Sequence, residues 1–108
     1  MASEYIAVLI TAPNEEMAVS IAQALVSERL AACANIVPGV RSIYRWEGAL
    51  HDEPEMLMVV KTRRALFDAL AARVTELHEY TVPEVIALSI TDGSAPYLAW
   101  IGQSVGPG

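Results

Sequence analysis

Cys33 and His78 are the side chains of this chain best suited to hold a transition-metal ion. Thiolate and imidazole are the donors that copper and zinc prefer. The chain has one cysteine and two histidines, so Cys33 and His78 offer a soft and a borderline ligand, each at the end of a structural element. Metal sites commonly use three or four protein ligands. A two-residue site therefore needs water or a group from a neighbouring chain. Each residue also has a plainer reading. A free cysteine is often a small buried hydrophobe, and a histidine at a helix C-terminus is favoured by the negative end of the dipole. His51-Asp52-Glu53 with Glu55 forms a second cluster. It could hold a hard cation or loosely chelate copper, or it is a solvated turn.

Catalytic chemistry has little to build on. Neither histidine stands in a motif with a nucleophile and an orienting acid, and the His-Glu-x-x-His spacing of zinc enzymes is absent. The chain is not expected to be an enzyme. Lys61-Thr62-Arg63-Arg64 lies where a strand passes into a helix, and a helix N-terminus attracts anions. No glycine-rich phosphate loop accompanies this run, and solvated arginines are its simpler reading.

The elements that position these groups follow from the hydrophobic pattern. Tyr5 to Thr11 is a short apolar run rich in β-formers, hence a buried strand. Pro13-Asn14-Glu15-Glu16 opens a helix, with Asn14 as cap and two carboxylates at the positive end. Met17, Ile21, Ala24 and Leu25 give that helix its apolar stripe. A long hairpin follows, from Cys33 to about Trp46 and from Glu55 to Thr62, joined through the polar Gly48–Pro54 segment. Pro38-Gly39 inside its first arm predicts a bend or bulge, because proline donates no ladder hydrogen bond. A second helix spans about Arg63 to His78, capped by Thr62, with Phe67, Leu70, Val74 and Leu77 facing inward. Val85 to Ile90 is the fourth strand. Ser94 to about Gln103 is a short terminal helix, with Gly106-Pro107-Gly108 fraying beyond it.

The order β-α-β-β-α-β is the ferredoxin-like pattern, an α+β sandwich with both helices on one face of an antiparallel sheet. A sheet with one wet face alternates apolar and polar residues. These strands do not: Tyr5-Ile6-Ala7-Val8-Leu9-Ile10 and Met56-Leu57-Met58-Val59-Val60 are apolar throughout. Two helices cover one face, which leaves the other for partner chains.

Composition agrees. At 108 residues the chain is one domain, residues 1–108, and an apolar share of 54% is high for so small a domain, which has much surface and little interior. A formal charge of −6 argues against nucleic acid or an anionic membrane as partner. One cysteine makes no internal disulfide and suits a reducing compartment. Met1-Ala2-Ser3-Glu4 leads straight into a strand without a targeting signal, and no apolar run approaches the ~20 residues that span a bilayer. The expected location is cytoplasmic.

Ordered motifs run along nearly the whole chain: Leu9-Ile10-Thr11-Ala12-Pro13, Glu28-Arg29-Leu30-Ala31-Ala32-Cys33, Tyr44-Arg45-Trp46-Glu47-Gly48 and Val60-Lys61-Thr62. Leu77-His78-Glu79-Tyr80, Val82-Pro83-Glu84-Val85-Ile86-Ala87-Leu88 and Tyr97-Leu98-Ala99-Trp100 follow. In order and spacing they resemble the CutA family of divalent-cation tolerance proteins, small trimeric ferredoxin-like proteins. The resemblance implies a cytoplasmic homotrimer that binds divalent transition-metal ions, copper first, at Cys33 and His78, and that contributes to metal tolerance. It also implies that Tyr44, Trp46, Glu47, Lys61, Tyr80, Glu84 and Trp100 gather around clefts between subunits. There they serve a ligand or the interface itself, with Lys61 and Glu47 paired because a lone, partly buried charge is costly. The chain departs from the family pattern at Glu79 and Ser89, where prolines are common. It departs also at Ile10 and Leu77, where some members carry a further cysteine or histidine. Two other functions stay open: a small-molecule or anion sensor using the clefts, by architectural likeness to PII signalling trimers, and a structural or anchoring trimer. Fold alone decides neither.

Overall fold

The computed structural model describes residues 4–107; the expectations on Met1–Ser3 and on Gly108 lie outside them. Four strands and three α-helices follow in the order β1 (Tyr5–Ala12), α1 (Glu15–Ser27), β2 (Cys33–Trp46), β3 (Ala49–Arg63), α2 (Phe67–Leu77), β4 (Val85–Ser89) and α3 (Ala95–Ser104). The strands form one sheet in the order β2-β3-β1-β4, every neighbouring pair antiparallel. This is the α+β, ferredoxin-like arrangement the sequence pattern predicts.

Period-2 geometry gives each strand two faces. On β1, Ile6, Val8, Ile10 and Ala12 are buried, while the intervening residues are only half-buried. The buried set meets Met58 and Val60 of β3, Ile21 and Leu25 of α1, and Leu70 and Val74 of α2 in one core. Of the stripe expected on α2, Leu70 and Val74 are fully enclosed, and Phe67 and Leu77 pack at the margin. On α1, Ala18 and Ala22 join Ile21 and Leu25 as the buried residues, and Ala24 does not. Asn14 caps α1 as expected, its Oδ1 accepting the Met17 N–H at 2.8 Å.

The other face has no such cover. Ladder register places Ala7 and Leu9 of β1, Leu57 and Val59 of β3, and Ile86 and Leu88 of β4 on it. Ile86 is 49% exposed and Leu88 52%. Among the described residues only α3 reaches this side, at the end where β1 begins. There Ile101 and Val105 pack with Ala32 and Leu66, and Tyr5 and Leu98 close the cluster.

Three expectations need correction. Gly48–Pro54 is not a connecting loop: β3 starts at Ala49, and the turn is only Glu47-Gly48. Both turn residues have positive φ, 50° and 79°, the two-residue hairpin geometry whose twist matches the strands. Thr62 does not cap α2. It is buried in the sheet, and its hydroxyl donates to the Leu30 carbonyl at 2.7 Å. Nor does a regular helix begin at Arg63, because a 3₁₀ turn over Arg64–Leu66 precedes α2. The bend expected at Pro38-Gly39 is present. The β2–β3 register runs from Val37↔Leu57 to Val40↔Glu55, so two residues of β2 oppose one of β3, and Gly39 takes φ 79°.

The Asn14 cap offers a simple measurement. Asn14→Ala leaves the Met17 N–H unpaired and lowers stability by about 1 kcal/mol, read as a shift in the urea midpoint with unchanged slope.

Candidate functional site

His78 stands just after α2, where its backbone N–H still bonds Val74 O at 2.8 Å. Its ring is buried, 7% exposed, and both nitrogens are engaged. Nδ1 accepts the Tyr80 N–H at 3.1 Å, so the ring proton sits on Nε2, which donates to the Thr11 carbonyl at 2.7 Å. The imidazole thus ties the end of α2 to the end of β1 and turns the chain into the following loop. The Tyr80 ring lies 4.5 Å from it, centre to centre. To ligate a metal, His78 must give up one of these bonds.

Cys33 lies elsewhere. It starts β2 opposite Lys61, whose β1 partner is Ala7. Thr11, beside His78, is four residues further along β1, roughly 13 Å at strand rise. Within one chain the two residues do not share an ion, and no group of three metal-donor side chains converges among the described residues. Cys33 Sγ instead lies 3.7 Å from the Tyr97 hydroxyl, and Tyr97 packs on Trp100 with ring centres 5.4 Å apart. Lys61 donates to Asn35 on the same side of the sheet.

Within one chain Glu47 does not pair with Lys61. It occupies the tip of the hairpin while Lys61 sits at the far end of β3, on the order of 40 Å away along the strand. The basic run Lys61-Thr62-Arg63-Arg64 also disperses. Lys61 turns to Asn35, Thr62 is internal, Arg63 lies 3.4 Å from Glu4, and Arg64 donates to Ser89 at 2.8 Å.

Tyr44, Trp46, Tyr80 and Glu84 do come together. They line a cleft of about 630 Å³ between the projecting β2–β3 arm and the loop after α2, with Glu55 and Glu79 among the other walls. Within the one chain Lys61 and Trp100 stand at the opposite end of the sheet, Lys61 facing Cys33 across the ladder and Trp100 packed on Tyr97; the expectation joins the two groups across subunits. The acidic run of β3 explains part of the cleft. Alternation puts His51, Glu53 and Glu55 on one face and Asp52 on the other. Tyr44 stacks on His51, 5.1 Å between ring centres, and its hydroxyl donates to Glu53. Tyr80 donates to Glu55 Oε2 at 2.8 Å. Across the arm, the Arg41 guanidinium grips Asp52 through two 2.7 Å bonds and holds its carboxyl below the usual range. These residues are cross-strand partners and not a metal cage.

Glu79 and Tyr97 are not singled out as cleft or ligand residues by the sequence, and Glu55 is singled out only as a cation ligand in the acidic cluster, not as part of this cleft. Glu55 carried a signal, as one of a run of acids on a strand, but its aromatic partner is 25 residues away. Glu79 and Tyr97 carried no local signal.

With this geometry in view, the comparison with known proteins is direct. Residues 6–104 match the family model described as CutA1 divalent ion tolerance protein. The chain belongs to that family. A divalent-cation tolerance protein CutA of Thermus thermophilus is 54% identical over 99 residues, 92% of this chain and 96% of that protein. The chloroplastic CutA of Arabidopsis thaliana is 50% identical over 99 residues, and this chain spans 54% of its length. Among solved structures, CutA1 from Oryza sativa superposes with a TM-score of 0.95 at 46% identity, covering 99% of this chain and 98% of that one. The Thermus protein gives 0.92 at 53% identity, covering 94% and 99%. The CutA fold and this CutA-family chain therefore agree from β1 through α3.

The tyrosines of the cleft report on its charge. Donation to Glu53 and the nearby Glu53 and Glu55 carboxylates push the Tyr44 hydroxyl up to about 12, and burial and Glu55 push Tyr80 upward as well. Absorbance titration at 295 nm is expected to show both ionising after a free tyrosine. Tyr44→Phe removes the step near pH 12, and Glu53→Gln moves that step down.

Proposed function

We propose that this CutA-family chain works as a cytoplasmic homotrimer that binds divalent transition-metal ions, copper foremost, and so contributes to metal tolerance. It is a binding protein and not an enzyme. The observation that carries the assembly is the uncovered sheet face with Leu9, Val59, Ile86 and Leu88. The number three rests on the family resemblance. A cyclic trimer joins two different patches, and the two ends of the open face differ. One end carries Cys33, Lys61, Tyr97 and Trp100, the other the acidic aromatic cleft.

The free thiol of Cys33, half-buried at the start of β2, is the first ligand for a soft ion. His78 comes second, since its nitrogens already hold Thr11 and Tyr80. Water or a group from a neighbouring chain completes the set. The anion-sensor alternative finds less support, because the cleft is lined by Glu55, Glu79 and Glu84 and by no basic side chain. A single unpaired cysteine favours a reducing compartment. One relative, from Archaeoglobus fulgidus, is described as periplasmic, so cell fractionation is the check on location.

Light scattering is expected to give three times the 11.7 kDa chain mass. Leu88→Lys puts a charge on the open face and should shift the protein to monomer; a wild-type monomer would remove the reading. Copper titration against a competing chelator tests the ligands. Cys33→Ser is expected to weaken binding at least tenfold, whereas His78→Ala mainly lowers stability, by about 1–3 kcal/mol for the buried bonds it strands. Unchanged affinity in Cys33→Ser would exclude the thiolate.

A further inference from the structure

α1 ends in a turn that usually closes on glycine. The Arg29 N–H bonds Val26 O at 3.1 Å and the Leu30 N–H bonds Leu25 O at 2.9 Å, the paired closure of a helix C-terminus. Arg29 takes the left-handed φ of 62° at its centre. Glycine meets that conformation without strain and arginine does not. What arginine adds is reach. One guanidinium nitrogen, Nη2, donates to Gln103 O at 3.1 Å and to Val105 O at 3.3 Å. The Arg29 carbonyl in turn accepts the Gly106 N–H at 3.0 Å. A cation therefore sits on the negative end of α3, a helix with no basic residue in its own last turn.

α3 is otherwise lightly held. Ile101 is the buried residue within it, and no side chain caps its start. Residues 90–94 before it form no helix or strand. It lies on the open side of the sheet, where the ladder places Cys33 with Lys61 and Ala7, and its Tyr97 hydroxyl rests 3.7 Å from Cys33 Sγ. We propose that Arg29 is the clasp that holds α3 over Cys33 and so sets how freely the thiol reacts. Arg29 is a positioning residue: it touches α3 and not the sulfur. Every contact on this path lies within one chain, so assembly does not supply it. A helix freed at its C-terminus pivots about residues 90–94 and carries Tyr97 away from the sulfur, a local opening short of unfolding. The inference rests on Cys33 as the functional thiol proposed above, but its test needs no metal.

A single cysteine in the chain makes the test specific. The metal-free, assembled protein is reacted with neutral dithiodipyridine, and the released pyridinethione is followed by absorbance, with light scattering on the same samples. Arg29→Ala is expected to react about tenfold faster, the factor that corresponds to one lost hydrogen bond from a charged group. Arg29→Lys should return the rate to near the wild-type value, because one ammonium can replace the one Nη2. Arg29→Gly relieves the backbone at φ 62°, so its urea midpoint should equal or exceed that of Arg29→Ala while the thiol reacts as fast. Tyr97→Ala should be fast by itself and gain nothing from added Arg29→Ala. Arg73→Ala, which takes an arginine from Glu28 on the same turn, should leave the rate unchanged. The proposal is overturned by an unchanged rate in Arg29→Ala, by no rescue in Arg29→Lys, or by rates that simply follow the urea midpoint. Additive effects of Arg29 and Tyr97, or acceleration that comes with dissociation, overturn it equally. Copper affinity that survives Cys33→Ser strikes the ligand reading and leaves the clasp standing.

Discussion

A four-stranded sheet has two faces, and α1 and α2 cover only one. The face they leave carries the same kinds of residue as the face they bury, which is why β1 and β3 read as unbroken apolar runs. Burial of Ile86 and Leu88, each about half exposed, contributes roughly 1 kcal/mol apiece at the usual value for a large aliphatic side chain. The Arg41–Asp52 fork on the arm is exposed, lies within one chain and is screened by water, so it adds little despite its good geometry. Apolar area on the open face is therefore the larger of the two energetic resources. It also accounts for an apolar share unusual in so small a domain.

His78 shows how a single buried ring organises the cleft. It accepts from Tyr80 and donates to Thr11, and Tyr80 in turn reaches Glu55 on the arm. A connected path of hydrogen bonds thus runs from the end of α2, past the end of β1, to the base of the hairpin. The imidazole is spent on that path, and this separates the histidine's structural work from the thiol's availability at the other end of the sheet.

Much of the fold was legible in the sequence because its signals are local. Asn14 followed by two glutamates marks a cap, Pro38-Gly39 marks an irregular strand, and the stripes of α1 and α2 set the core. The errors arose where a tertiary partner overrode a local signal. Polar Gly48–Pro54 looks like a loop until cross-strand pairs, Tyr44 with His51 and Arg41 with Asp52, fix it as strand. Thr62 resembles a cap until the Leu30 carbonyl claims its hydroxyl. The site was half legible. Tyr44, Trp46, Tyr80 and Glu84 meet at one cleft of the chain, while Glu47 and Lys61 are held apart within it because the hairpin is longer than its apolar part, which puts Glu47 at the tip. Nothing in a linear string tells how far two ends of one strand lie apart once its middle is extended.

The two-for-one mismatch at Pro38-Gly39 has a geometric consequence for how this arm can change. Val37↔Leu57 and Val40↔Glu55 keep the same sides on both flanks of the irregularity, so the arm bends without turning inside out. Loss of one residue from β2 within that mismatch would restore a one-to-one ladder and straighten the arm while every flanking side chain keeps its side. Loss of one residue anywhere else in the arm's ladder would flip the segment beyond it and send Tyr44 to the opposite surface. The bulge is thus the place where the hairpin's angle can drift over sequence change while its chemistry stays facing the same way.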